Sequence, residues 1–142
     1  MTAYDPSNIF ARILRGELPC HKVHEDDDCL AIMDIMPRAP GHTLVIPKSP
    51  ARTILDISPA ALGKLVIGVQ MVAGAVKRAM TADGLTIQQF NESAGGQVVF
   101  HLHFHIIPRW DGTAMRPHTS QMAPADELVA NAARIRAVLS GE

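Results

Sequence analysis

The sequence predicts an α+β fold with a mainly antiparallel sheet, and three observations carry that prediction. The elements read in the order helix, strands, helix, strands, helix, without the regular strand–helix alternation that builds a doubly wound parallel sheet. One long series of apolar residues at three- and four-residue steps, Leu62, Leu65, Val66, Val69, Val72, Val76 and Met80, marks a dominant helix. Five short segments have the composition of strands, and the last of them, His101-Leu102-His103-Phe104-His105-Ile106-Ile107, alternates histidine with apolar side chains. A chain of 142 residues suits one domain with a sizeable core.

Each element has its local reason. Ser7 is placed to cap a short helix holding Ile9, Phe10, Ile13 and Leu14, and Gly16 stops it. After Pro19, His21-Lys22-Val23-His24 reads as a half-polar strand and Glu25-Asp26-Asp27-Asp28 as a solvated turn without the alternating ligands of a calcium loop. Cys29 to Ile35 is an apolar strand interrupted near its end by Asp34, which reads locally as a turn-capping carboxylate before Pro37-Arg38-Ala39-Pro40-Gly41. His42-Thr43-Leu44-Val45-Ile46-Pro47 is apolar on both faces and belongs inside the sheet, with His42 at its mouth. Ser58-Pro59 opens the long helix, about 59 to 81. Gly63, Gly68 and Gly74 inside it each cost about 1 kcal/mol relative to alanine and point to close packing. Asp83-Gly84 turns the chain into the strand Leu85 to Phe90, and Asn91 to Gly96 forms the loop before the histidine strand. Beyond Arg109 the chain is irregular to about Pro124, and Leu128, Val129, Ala132, Ile135, Val138 and Leu139 form a final helix. His118, in the irregular stretch, is given no chemical role.

Thirteen basic and 14 acidic side chains leave a formal net charge of −1, so no global field attracts nucleic acid or an anionic membrane. Cys20 and Cys29 have no redox or metal-ligand spacing and read as reduced thiols. No leader-like stretch opens the sequence and no run is expected to span a membrane, so a cytoplasmic location is expected.

Strand geometry sets His101, His103 and His105 on one face and Leu102, Phe104 and Ile106 on the other. Two chemistries use three imidazoles in a row. One is metal binding, for which the additional donors would be His42, Asp34 and the cysteines, none at ligand spacing within its own segment. The other is nucleophilic catalysis at phosphorus. Neutral imidazole is competent near pH 7, and neighbouring histidines can donate hydrogen bonds to phosphate oxygens and a departing group. Gly95, Gly96 and Gln97 place backbone N–H groups and an amide nearby, suited to an anion. No serine or cysteine stands in a nucleophile motif.

The stretch from His101 to Ile107 resembles the signature of the histidine-triad (HIT) family, His-φ-His-φ-His-φ-φ with φ apolar. Ile9-Phe10, Ile32-Met33-Asp34-Ile35, Pro40-Gly41-His42-Thr43-Leu44-Val45-Ile46-Pro47-Lys48 and Gly96-Gln97 extend the resemblance in the family's order, from about Ser7 to Arg109. It is most similar to the Hint-type branch of hydrolases acting on purine nucleoside phosphoramidates and nucleotidyl esters, with which His105 at the third triad position agrees. The resemblance implies a single HIT domain over 1–142, with a core at about 7–109 and a C-terminal extension from about 110 that ends in a helix. It implies a five-stranded sheet continued across a homodimer. His103 would attack the α-phosphorus to give a nucleotidyl-histidine, His105 and Gln97 would meet phosphate and leaving-group oxygens, and His101 with His42 would orient the nucleophile. Asp34 would accept from the ribose hydroxyls. Ile9, Phe10, Ile13, Ile32, Ile35 and Leu44, with Met33 in the same motif, would line the base and sugar pocket, Asn91 and Gly96 would lie near the phosphate or across the dimer interface, and Val98 would lie near the leaving group. Many bacterial relatives hold zinc with Cys-x-x-Cys in the first helix and a later histidine. Asn8, Ala11 and Pro50 stand at those positions, so no zinc or other cofactor is expected. Val98 replaces a hydroxyl that the Hint branch often places near the leaving group, which leaves a nucleotide-binding regulatory or scaffold protein as the alternative.

Overall fold

A computed structural model of the chain describes residues 3–118 and 121–141. Helix α1 (Ile9–Leu14) leads into strands β1 (Lys22–Glu25), β2 (Cys29–Met33) and β3 (Thr43–Pro47), the long helix α2 (Pro59–Ala79), strand β4 (Gly84–Gln88), a 3-10 turn at Ser93–Gly95, strand β5 (Phe104–Arg109) and helix α3 (Ala125–Leu139). The five strands form one sheet in the order β1-β2-β3-β5-β4, with every neighbouring pair antiparallel.

The sheet is two-sided, and the period of two assigns each side. Cys29, Ala31, Met33, Val45 and Ile106 face the core beneath α2 and α3, with Leu65, Val69, Val72 and Val76 of α2. Leu30, Ile32, Leu44 and Ile46 face the other way and pack on Phe10 of α1. Met33 therefore lies on the α2 side, out of register with Ile32 and Asp34, and takes no part in a pocket on the α1 side. The C-terminal extension is integral to the core: Leu128, Ala132 and Ile135 of α3 are buried in the same cluster as α2.

Several boundaries differ from the sequence expectation for identifiable reasons. The cap of α1 is Asn8, whose Oδ1 accepts from the Ala11 N–H at 2.9 Å, while Ser7 donates to Asp5. The histidine strand begins only at Phe104, because the Leu102 N–H is taken by the Ala51 carbonyl at 2.8 Å instead of by β3. Helix α2 is 21 residues long and holds an 18-residue window of mean hydropathy 1.5, long and apolar enough by composition to cross a membrane, contrary to the expectation that no run is.

The three glycines of α2 divide. A Cβ on Gly68 would lie 2.9 Å from Cys29 Sγ, so only glycine lets the helix sit this close to β2, whereas Gly63 and Gly74 face open space. Gly68→Ala should therefore lower stability by about 1–2 kcal/mol in urea unfolding, overpacking outweighing the helix-propensity gain. Adding Cys29→Ala should recover part of that loss; a Gly68→Ala protein as stable as the parent would refute the close-contact explanation.

Candidate active site

The site occupies the α1 side of the sheet at the end where the short helix stops covering it. Antiparallel pairing sets His105 opposite Leu44 on one neighbour and Gln88 on the other. His42, directly before β3, and Asp34, directly after β2, are joined by the Asp34 N–H donating to the His42 carbonyl at 3.0 Å. The structure thus brings His42, His101, His103 and His105 together, all buried, with ring centroids of His103 and His105 4.9 Å apart and those of His42 and His105 5.2 Å apart.

Fixed backbone partners assign every tautomer. The Arg38 N–H can only donate, and it reaches His42 Nδ1 at 3.0 Å. A neutral His42 therefore carries its proton on Nε2, 3.0 Å from His105 Nδ1, and that nitrogen must accept. His105 then presents a protonated Nε2. His103 Nδ1 donates to the His101 carbonyl at 2.7 Å, which leaves Nε2 of His103 with a free lone pair. His101 Nε2 donates to the Pro47 carbonyl at 2.9 Å, so its Nδ1 accepts from the Tyr4 hydroxyl at 2.7 Å. The Phe10 ring meets His103 edge-on at 4.9 Å. The result is a nucleophile-ready nitrogen beside a hydrogen-bond donor, both on neutral rings.

Burial keeps them neutral. Desolvation lowers the pKa of His103 to about 4, of His42 to about 3, with Arg38 adding to the effect, and of His105 to about 2. The same burial raises Asp34 to about 6. Near pH 7 Asp34 is a carboxylate facing a neutral His42 at 3.4 Å, not one half of an ion pair. Its Oδ1 accepts from the Met36 N–H at 2.8 Å, the turn-capping role read from the sequence.

The glycine loop is held open by its own side chains. Glu92 adopts φ +62° and ψ 166°, a region favoured by glycine, and is held there by a forked pair of bonds from Arg52 and by its N–H donating to Gln97 Oε1 at 2.7 Å. Arg52 also stacks over Phe100 at 4.2 Å. Gln97 Nε2 donates to the Arg52 and Val99 carbonyls, so its amide is fully occupied in shaping the loop. The N–H groups of Gly95, Gly96 and Gln97, expected to face an anion, bond instead to Glu92 and Ser93 carbonyls. Asn91 is occupied likewise, by the Ile54 N–H and the Gln89 amide. Gly96 lies at φ +97°, with the Phe90 ring 3.3 Å from where a Cβ would stand. Val98 is 81% exposed, and Ile9 and Ile35 are partly open, whereas Ile32 and Leu44 are buried beneath α1 as a floor; Ile13 packs beside them.

His118, given no role from the sequence, lies at the site: its ring is 6.5 Å from Phe90, which is 5.4 Å from His105, and its Nε2 is 3.4 Å from Arg38 Nη1. Tyr4, Arg38, Arg52 and Glu92 were also missed, being loop or terminal residues without periodic signal.

Two groups of donors among the described residues have metal-like spacing. Asp34, His42 and His105 offer ligand atoms within 4.8 Å of one another, as do His24, Asp26 and Cys29. In the first, the His42 proton already occupies the His105 lone pair. In the second, Asp26 is bonded to His24 and two backbone N–H groups, and burial pushes the Cys29 thiol up to about 12. The positions that the family resemblance assigns to zinc do not fit the ion here: Asn8 caps a helix, and Ala11 and Pro50 carry no donor side chain.

The HIT domain family matches residues 15–112. The chain is 37% identical over 128 residues to adenylylsulfatase HINT3 of Arabidopsis thaliana, covering 85% of this chain and 65% of that relative's length. Among solved structures it is similar to a Hit-like protein involved in cell-cycle regulation from Bartonella henselae, with TM-score 0.92, 52% identity and coverage of 96% and 98% of the two chains. A hypothetical histidine triad nucleotide-binding protein from Sulfolobus tokodaii matches with TM-score 0.86, 33% identity and coverage of 93% and 91%. A zinc-bound histidine triad family protein from Mycobacterium smegmatis matches with TM-score 0.85, 32% identity and coverage of 95% and 94%.

The buried imidazoles make stability pH-dependent. His42, His103 and His105 are deprotonated when folded but titrate near the ordinary 6.5 when unfolded, so their contribution is full above that value and is lost as pH falls toward 4. Asp34, raised to about 6, opposes them, being protonated in the fold and ionised in the unfolded chain between about pH 4 and 6. Three histidines against one carboxylate leave about two protons net, or on the order of 2 kcal/mol per pH unit. Urea midpoints should fall steadily from pH 6.5 to 4.5; a flat profile would show that the rings are not held neutral.

Proposed function

The chain belongs to the HIT family, and from that premise we propose that it is a nucleotide hydrolase that forms a covalent nucleotidyl-histidine on His103. The observation that carries this reading is the pairing of a free His103 Nε2 lone pair with a protonated His105 Nε2 on an adjacent ring. In the first step His103 Nε2 bonds to the α-phosphorus and the bond from phosphorus to the leaving nitrogen or oxygen breaks, with His105 donating toward the departing atom. In the second step water attacks phosphorus and gives one proton back to His105 Nε2, the N–P bond breaks with its electron pair returning to His103 Nε2, and a nucleoside monophosphate leaves. Substrates of this type include phosphoramidates, dinucleoside polyphosphates and nucleotidyl sulfates, the last in keeping with the activity named for the Arabidopsis relative.

Asp34 is assigned to the ribose hydroxyls, which need an ionised acceptor at the pocket's edge. Ile9, Phe10 and Ile13 are assigned to the purine face, over the floor of Ile32 and Leu44, with Ile35 at the rim. Gln97, Asn91 and Gly96 act by fixing the loop, and the Val98 N–H, without an intramolecular partner among the described residues, remains for a phosphate oxygen. The alternative, a nucleotide-binding regulator with little turnover, is favoured by one observation: Val98 offers an exposed apolar side chain where a hydroxyl would assist the leaving group. Two free thiols fit a reducing, cytoplasmic setting.

We also propose a homodimer. Strand β4 is an edge of the sheet, and beside it Val66, Ile67 and Met71 of α2 and Ile87 of β4 are exposed apolar side chains, with Gly63 and Gly74 open on the same helix. Ile67, 68% exposed, should convert a dimer to a folded monomer in sedimentation when changed to Asp; a wild type that sediments as a monomer rejects the assembly.

Intact-mass analysis after rapid mixing with an adenosine phosphoramidate should reveal one added nucleoside monophosphate on the wild type and none on His103→Ala. Turnover in that variant should fall at least about 10³-fold while nucleotide binding persists. Binding without any adduct or released monophosphate would give the regulator reading instead.

A further inference from the structure

The segment after β5 returns across the site before reaching α3. The Arg116 N–H donates to the Arg38 carbonyl at 2.9 Å, Arg38 Nε donates to the Arg116 carbonyl at 2.9 Å, and the Ala123 N–H donates to the Ile35 carbonyl at 2.9 Å. These bonds fix the Arg38 side chain. Its Nη1 lies 3.4 Å from both Gln88 Oε1 and His118 Nε2, and its Nη2 makes no hydrogen bond among the described residues. No carboxylate pairs with it among the described residues, although other arginines of the chain, Arg12, Arg15 and Arg52, do find acidic partners. A partly buried guanidinium whose partners are a backbone carbonyl, an amide oxygen and a ring nitrogen is a positive charge without a carboxylate among the described residues, with a forked donor, the geometry that takes a tetrahedral oxyanion.

Its place is beside the reacting groups. The Arg38 N–H holds His42, His42 holds His105, and Phe90 lies between His105 and His118. After burial, the Arg38 charge also helps hold the pKa of both His42 and His105 low. Phe10, on the far side of His103, marks the opposite, apolar side. We propose that Arg38, with His118 and Gln88, forms an anion subsite beside His105 that receives a sulfate- or phosphate-type leaving group, so that the site prefers nucleotidyl anhydrides over phosphoramidates of uncharged amines. This rests on the nucleotide reading above and specifies its substrate class.

The test uses the full chain with His103→Ala, which blocks turnover, and calorimetric dissociation constants for adenylyl sulfate, ADP and adenosine 5′-phosphoramidate. Adding Arg38→Gln should reduce the preference for the two anhydrides over the phosphoramidate about tenfold, and His118→Ala, which leaves the Arg38 clasp intact, should reduce it by a smaller factor. A fall for only one anhydride identifies its leaving group as the one recognised. An unchanged preference, or equal weakening of all three ligands, overturns the subsite and makes Arg38 a clasp for the tail. Absence of binding by any ligand overturns the nucleotide reading with it. Selective binding joined to no turnover by wild type overturns the hydrolase alone.

Discussion

A strand has two faces, and this protein spends them on incompatible tasks. On β5 and its neighbours every second side chain enters the core beneath α2 and α3, and the intervening ones form an apolar floor under α1, with His105 on β5 and His103, His42 and Asp34 at the strand ends beside it. The arrangement needs all the large helices on one side. Were α1 longer, it would cover the histidines; were α2 farther from the sheet, the core holding β5 in register would loosen. Gly68, which brings α2 against Cys29, therefore supports the placing of the histidines on the opposite face as well as the packing on its own.

Burial sets the character of the histidine cluster. Four imidazoles in close contact could not all be charged, and removing them from water keeps each neutral. Once neutral, each ring has one donor and one acceptor, and peptide groups decide which is which. The Arg38 N–H and the carbonyls of Pro47 and His101 are fixed by the fold, so proton positions follow from backbone geometry. Carboxylates, the usual orienting partners for histidine, are absent from these bonds, and Asp34 stands 3.4 Å from His42.

Periodicity made much of this legible. The five strands, the long helix and the triad follow from patterns of two and of three to four residues, and the motif around His103 led to the family. The same rule, applied strictly, would have excluded Met33 from the pocket, since it is one residue out of phase with Ile32 and Asp34. Residues that act through loops carried no such pattern. Arg52 and Glu92 meet across 40 positions, and Tyr4 reaches His101 across 97. Gln97 was found for the right neighbourhood and a different task, because spacing cannot tell whether an amide faces a ligand or its own backbone. His118 became visible only when the returning segment was folded over β5.

That returning segment is pinned at both ends, by β5 on one side and by α3 in the core on the other. A connection closed at both ends can change length at little cost, since doubling a loop adds only about 0.6 kcal/mol of closure entropy. Residues facing the histidines from this segment can be exchanged, inserted or deleted while the sheet and both large helices keep their contacts. The histidines are locked to the packed sheet, whereas the chain passing beside them is tied to the loop before β3 only by the Arg116, Arg38 and Ala123 bonds.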